Sequence, residues 1–331
     1  MNRSIRLVVA VMVSLICGTS ARAADVTLRV GSSNPPDSAL GRGLDKMAAL
    51  VAQANVELRL QIFPSGQLGA PEAQVQNVKL GIQDGFFEDL TWWSPFSPDL
   101  RIAGVPFEFE GRPHFQKWLA SDMFKKIQRE VIANGSQRVL LGTTLWWRGP
   151  YRVMMSTKPV ATLEDVSKIK LRQPAIESLT RYWGHEGLNA NVVNIGWGDV
   201  YLALKQGAAD AVTLPLDLVE SSKFYEVARN IIITDEFPQI LVLGLNEAKW
   251  NSLSAPQQKA LMDAINQAGD GYNQEVNGSE QKWKQELTAK GTTFTTLDRG
   301  PFVARVHEVD KKFEASGYWP KGVLESVDAL R

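Results

Sequence analysis

Between Val26 and Phe63 the chain changes its hydrophobic period twice. Val26, Leu28 and Val30 alternate with Thr27 and Arg29, the two-residue period of a strand with one buried face. From Leu40 to Ala54 the apolar positions Leu44, Met47, Ala48 and Val51 recur at helical spacing and predict an amphipathic helix. Val56, Leu58, Leu60 and Ile62 then alternate with Glu57, Arg59 and Gln61, which predicts a strand over Val56–Phe63. A turn at Pro64–Gly66 leads into a helical stretch over Pro71–Leu80. Strand and helix in such alternation predict an α/β fold with largely parallel strands.

A second series of the same kind begins near Arg138. Val139–Leu141, Tyr151–Ser156, Ile169–Arg172 and Ala211–Leu214 read as strands. Thr162–Asp165 reads as a helix start, and Ile176–Glu186 and Trp197–Gln206 as helices. The longest helix opens on a capping box: the Ser254 hydroxyl accepts from the Gln257 N–H and the Gln257 side chain reaches back. Pro256 falls in the first turn, where its missing donor costs nothing. Leu261, Ala264, Ile265, Ala268, Tyr272, Val276, Trp283 and Leu287 continue the period to a stop at Gly291. That is about 36 residues, or ~54 Å at 1.5 Å per residue, enough to brace two α/β halves. Gly269, Gly271 and Gly278 predict a bend or break along it.

The first residues follow a different logic. Arg3 and Arg6 precede an apolar run, Leu7–Cys17, that is far short of a ~20-residue membrane span and is followed by Ala21-Arg22-Ala23. Residues 1–23 therefore read as a secretory signal, and the exported chain is expected to start at Ala24, in the periplasm. Removing the signal takes away three arginines and Cys17, the single cysteine of the 331-residue chain. Lys+Arg and Asp+Glu are both 36, so the remainder carries a small negative charge and no basic field for nucleic acid. It also has no thiol nucleophile and no disulfide.

Catalytic signatures are missing. None of His114, His185 and His307 belongs to an HExxH pattern, and there is no G-x-S-x-G elbow, Walker loop or post-strand GxGxxG. The carboxylates are numerous but nothing marks two of them as a pair. No catalytic residue, metal or cofactor is expected.

The chemistry that is present belongs to anion binding. Arg172 closes the strand Ile169–Arg172 and precedes Pro174, and ligands of α/β sheets sit at strand carboxyl ends. Arg152 follows the aromatic run Trp146–Tyr151 at another strand start. A guanidinium is a planar fork that pairs bidentately with a carboxylate. The chain has ten tryptophans, four of them in the pairs Trp92-Trp93 and Trp146-Trp147. Adjacent side chains on an extended strand point oppositely, so one of each pair is expected to face a cleft or solvent. Tryptophan walls with arginine heads suit a small-molecule cleft.

In order along the chain, several segments are similar to motifs of one family. They are PSGQLG at 64–69, VKLGIQD at 78–84, the stretch from Pro98 to VPF at 105–107, KPV at 158–160 running to IKLR at 169–172, DVYLALKQGAAD at 199–210, and WNSLS at 250–254. Together they resemble the DctP-type periplasmic solute-binding subunits of tripartite ATP-independent periplasmic (TRAP) transporters, over nearly all of the exported chain. The resemblance implies two α/β lobes, hinged by crossing strands and spanned by the long helix: 24–149 with 238–277, and 150–237 with 278–331. It implies a small organic acid trapped between the lobes and delivered to a TRAP membrane permease, with Arg172 gripping the carboxylate. Arg152 corresponds to a second site arginine, although the spacing before it is one residue longer here. Many relatives have QENP where this chain reads VTLP at 212–215, so a ligand-bonding Asn becomes Leu214. With Trp92, Trp146, Trp147 and Trp197 as candidate walls, an aromatic or otherwise apolar acid is the expectation. A sugar acid, a receptor serving a sensor, and an exported enzyme on the same fold stay open as alternatives.

Overall fold

The computed structural model describes residues 26–331; the leader expected over residues 1–23 lies outside the described residues. In chain order the strands are β1 (Val26–Gly31), β2 (Leu58–Phe63), β3 (Gly85–Asp89), β4 (Gln137–Leu140), β5 (Trp146–Trp147) and β6 (Arg152–Ser156). They continue with β7 (Lys170–Gln173), β8 (Asn191–Asn194), β9 (Ala211–Pro215), β10 (Asn230–Ile233), β11 (Ile240–Asn246) and β12 (Thr293–Thr296). These strands make two sheets. One runs β2-β1-β3-β11-β4, with β5 also on β11; the other runs β12-β10-β6-β9-β7-β8.

The expectation of largely parallel strands needs correction. β2, β1 and β3 are parallel, as are β9, β7 and β8, but β11 is antiparallel to β3, β4 and β5, and β6 is antiparallel to both β9 and β10. The reason is the path of the chain. It leaves the first sheet after β5 to enter the second as β6, and returns from β10 to the first as β11. Each crossing strand is inserted among strands of its new sheet and runs against them. The two crossings touch where the Arg148 N–H donates to the Gln239 carbonyl at 2.9 Å.

The long helix breaks where glycine allowed it. Helix Ala255–Gly278 starts at the Ser254–Gln257 capping box and is followed, after Ser279, by helix Glu280–Ala289. The first piece packs Leu261, Ala264, Ile265 and Ala268 in one core with Leu44, Met47 and Val51 of helix Ala39–Gln53, covering a face of the first sheet. Each fully buried Leu or Met there contributes roughly 1.5–3 kcal/mol. The second piece reaches the other lobe, where Lys290 pairs with Glu220 at 3.5 Å. Among the described residues no helix is long and apolar enough to cross a membrane.

Candidate ligand-binding cleft

Between the two sheets lies a cleft of about 770 Å³. The segments that line it follow strand carboxyl ends: Ser33–Pro35 after β1, Glu88 and Asp89 at the end of β3, Arg172 near the end of β7, Asn194–Asp199 after β8, and Thr213–Pro215 at the end of β9. This is the position that open α/β sheets offer to ligands.

Arg172 stands on β7, next to the edge strand of the second sheet, between Val193 of β8 and Val212 of β9, with its side chain lining the cleft. It is 5% exposed. Among the described residues it forms no ion pair; its one hydrogen bond runs from Nε to the Ile195 carbonyl at 2.8 Å, and its guanidinium lies 5.5 Å from the Trp197 ring centroid. A buried cation without an acid is costly. Burial, and then the charge of Arg152, push its pKa down to about 10, so the group stays protonated at neutral pH but under penalty.

Arg152 lines the same cleft and is equally buried, yet it is fully partnered. Its Nε donates to Glu236 Oε1 at 2.8 Å, its other nitrogens to Gln239 and to Thr213 Oγ1, and its guanidinium lies 4.5 Å from the Phe237 ring centroid. A third arginine, Arg148, also lines the cleft: it pairs with Glu88 and donates to Asn34 Oδ1 at 2.8 Å, while Asn34 Nδ2 donates to Glu88 at 3.2 Å. Sequence reasoning did not single out Arg148, Asn34 or Glu88 as site residues. The available signal was the strand-end position of Asn34 and Glu88, the same signal that marked Arg172. Beside them Asp89 is held above the usual carboxylate range by burial, although Thr91 donates to it at 2.8 Å.

The tryptophan expectations divide. Trp92 and Trp197 line the cleft, and so does Leu214, joined by Ile176, Leu179 and Leu218. Trp146 and Trp147 do not, and their assignment as cleft walls is corrected. On β5 they point to opposite faces, as a strand requires, but both faces of that sheet are covered. Trp146 stacks on Tyr272 at 5.1 Å, meets Phe87 edge-on at 4.8 Å, and donates from Nε1 to the Ile265 carbonyl at 2.9 Å. Trp147 packs toward Phe115 at 6.3 Å, with the Arg112 guanidinium 4.9 Å from its ring centroid. Trp93, the partner of Trp92, is likewise core, donating to Gln137 at 2.8 Å.

Comparison with known proteins places this architecture. The model of the bacterial extracellular solute-binding proteins, family 7 (DctP), matches residues 30–316. The sialic acid-binding periplasmic protein of Vibrio cholerae is 25% identical, over 95% of this chain and 96% of its own length. A TRAP periplasmic solute-binding protein of Roseobacter denitrificans, solved with bound L-galactonate, superposes with a TM-score of 0.82 at 21% identity, covering 93% of this chain and 99% of its own. One from Polaromonas, solved with D-erythronate, gives 0.79 at 22% identity, covering 92% and 98%.

Proposed function

The chain belongs to the bacterial extracellular solute-binding proteins of family 7 (DctP), TRAP-type receptors for organic acids, and from that premise we propose how its cleft is used. A small organic carboxylate enters between the lobes, pairs with the guanidinium of Arg172, and is carried to a TRAP membrane permease. The observation that supports this reading is the state of Arg172: buried, facing the cleft, and paired with no acid among the described residues. A carboxylate supplies the missing counter-charge and two acceptors for the fork. Arg152, whose charge Glu236 already balances, adds its field without requiring a second anionic group. The lobes are 24–149 with 238–277, and 150–237 with 278–331; the way β1–β5 and β11 share one sheet and the other strands the second supports that division.

The body of the acid rests on Trp92, Trp197 and Leu214, which favours an apolar or aromatic acid. A second reading has its own support. The facing wall carries Ser33, Asn34, Glu88 and Asp89, groups that hydrogen-bond hydroxyls, and the structural relatives hold L-galactonate and D-erythronate. Calorimetry of the exported chain against phenylacetate and galactonate separates the two readings. If neither these nor any other carboxylate binds, the assignment of the cleft fails.

A further inference from the structure

Behind the crossings lies a second cavity, of about 360 Å³. That is the lower end of the range of about 300–1,000 Å³ typical of small-molecule pockets. Its walls come from four places: Phe109 with residues 111–113, the crossing 148–152, Asp235 with residues 237–239 of the other crossing, and Arg299 at the start of helix Gly300–Ala315. Arg148, Arg152, Phe237 and Gln239 line both cavities, so the two stand back to back across a wall one side chain thick.

The charge in this second cavity is not balanced from within. Arg148 and Arg152 are committed to Glu88 and Glu236. Arg112 forms no ion pair among the described residues; it donates to the carbonyls of Gly149 at 2.6 Å and Pro150 at 3.3 Å and covers the Trp147 ring. Arg299 approaches Asp235 at only 3.7 Å and lies 5.4 Å from the Phe107 ring centroid. Among the described residues Asp235 is the single carboxylate lining the space, and its side chain is 51% exposed. Two guanidinium groups therefore share one half-solvated acid. Around them the walls are apolar: Phe109, Pro113, Pro150, Phe237 and Pro238.

We propose that this cavity is a second binding site, for a small carboxylate with an apolar body, its anionic end on Arg112 and Arg299. Carbonyl oxygens solvate part of the Arg112 fork but do not neutralise it, and the proline and phenylalanine walls lower the local dielectric, which strengthens a guanidinium–carboxylate pair. An occupant touches both crossings and both lobes, so it is placed to favour one lobe angle over another. The proposal does not depend on the reading of the cleft.

The test uses the exported chain labelled with 5-fluorotryptophan and followed by fluorine NMR, with the Trp147 and Trp197 signals identified through Trp147→Phe and Trp197→Phe. Trp147 lies under Arg112 and reports the rear cavity; Trp197 lies against Arg172 and reports the cleft. Benzoate is the probe and benzamide its neutral counterpart. Benzoate is expected to move the Trp147 signal saturably, benzamide is not, and the response should survive Arg172→Ala. Arg112→Gln should weaken it at least about tenfold, as should Arg299→Gln, a change at a half-buried side chain that takes no part in the Arg112 hydrogen bonds. The proposal is overturned if benzoate leaves Trp147 unmoved, if benzamide titrates it as well, if Arg172→Ala abolishes the response, or if Arg299→Gln titrates like the parent. Loss of the Trp197 response alone speaks against the cleft reading and leaves this one standing.

Discussion

Replacing Arg172 by Met separates binding from stability in opposite directions. Met keeps most of the aliphatic stem and removes the fork. The guanidinium is buried with one carbonyl partner, and burial pulls its pKa from the ordinary arginine range down to about 10. At about 1.4 kcal/mol per tenfold in proton affinity, that is a penalty of ~3 kcal/mol on the charged form. Arg172→Met relieves the penalty and loses one hydrogen bond worth ~1–2 kcal/mol. The ligand-free variant should therefore be as stable as the parent or more so, by up to ~2 kcal/mol, and melt up to a few degrees higher. Binding should move the other way. Truncating one partner of a buried charge pair costs about 2–5 kcal/mol, so affinity for any acid the parent binds should fall at least ~30-fold. Arg172→Lys retains charge without the fork and should lose affinity too. Calorimetry and thermal melting of ligand-free protein read the two arms. An affinity within about twofold of the parent, or a ligand-free variant less stable by more than ~1 kcal/mol, would refute the reasoning, the latter by making Arg172 a structural residue.

Glu236→Ala, which leaves the buried Arg152 without its acid, should destabilise the chain by ~3–5 kcal/mol in urea unfolding. Trp146→Ala should cost a similar ~3–5 kcal/mol while leaving cleft affinity nearly unchanged, and Trp197→Ala should do the reverse; equal effects of both on binding would restore Trp146 to the cleft. Glu108 packs beside Asp310 in the core, and burial first and that neighbour second raise its pKa from 4.5 to about 8. The folded state then holds a proton that the unfolded state releases, so this contribution to stability is complete below about pH 4.5 and is lost as pH rises through about 8; Glu108→Gln should flatten the decline in melting temperature over that window.

What the sequence revealed depended on whether the physical signal was local. The alternation of Val26–Val30 found β1, the spacing of Leu44, Met47 and Val51 found its helix, and the Ser254–Gln257 box marked a helix start to the residue. Arg172 was legible because a strand end followed by Pro174 is a short pattern. β11 was not: Ile240–Leu245 is apolar throughout, buried on both sides, and pairs with β3 and β4 about a hundred or more residues earlier, so neither period nor partner shows locally. The same distance hid the Arg148–Glu88–Asn34 network, whose members are 60 and 114 residues apart. The tryptophan pairs failed for a different reason. Alternation correctly put Trp146 and Trp147 on opposite faces, but it carries no information on whether a second layer covers each face.

Three arginines within 25 residues, Arg148, Arg152 and Arg172, line one cleft, and residue type alone cannot rank them. Their counter-charges do. Arg148 is neutralised by Glu88 and tied to Asn34, so it fixes β1, β3 and a crossing to one another. Arg152 is neutralised by Glu236 and reaches Thr213 and Gln239, so it joins both crossings to β9. Neither can accept a ligand anion as a first partner without giving up an acid that burial makes costly to leave alone. Among the described residues Arg172 pairs with no such acid; its like-charged neighbour Arg152 makes the deficit larger, and Glu72 across the cleft offsets it least. The desolvation cost has therefore been met twice inside the protein and left open once, at the point where the two lobes face each other. On the proposed reading, an anion entering at that point brings the one charge the protein does not supply, and Arg172 is where it gains most.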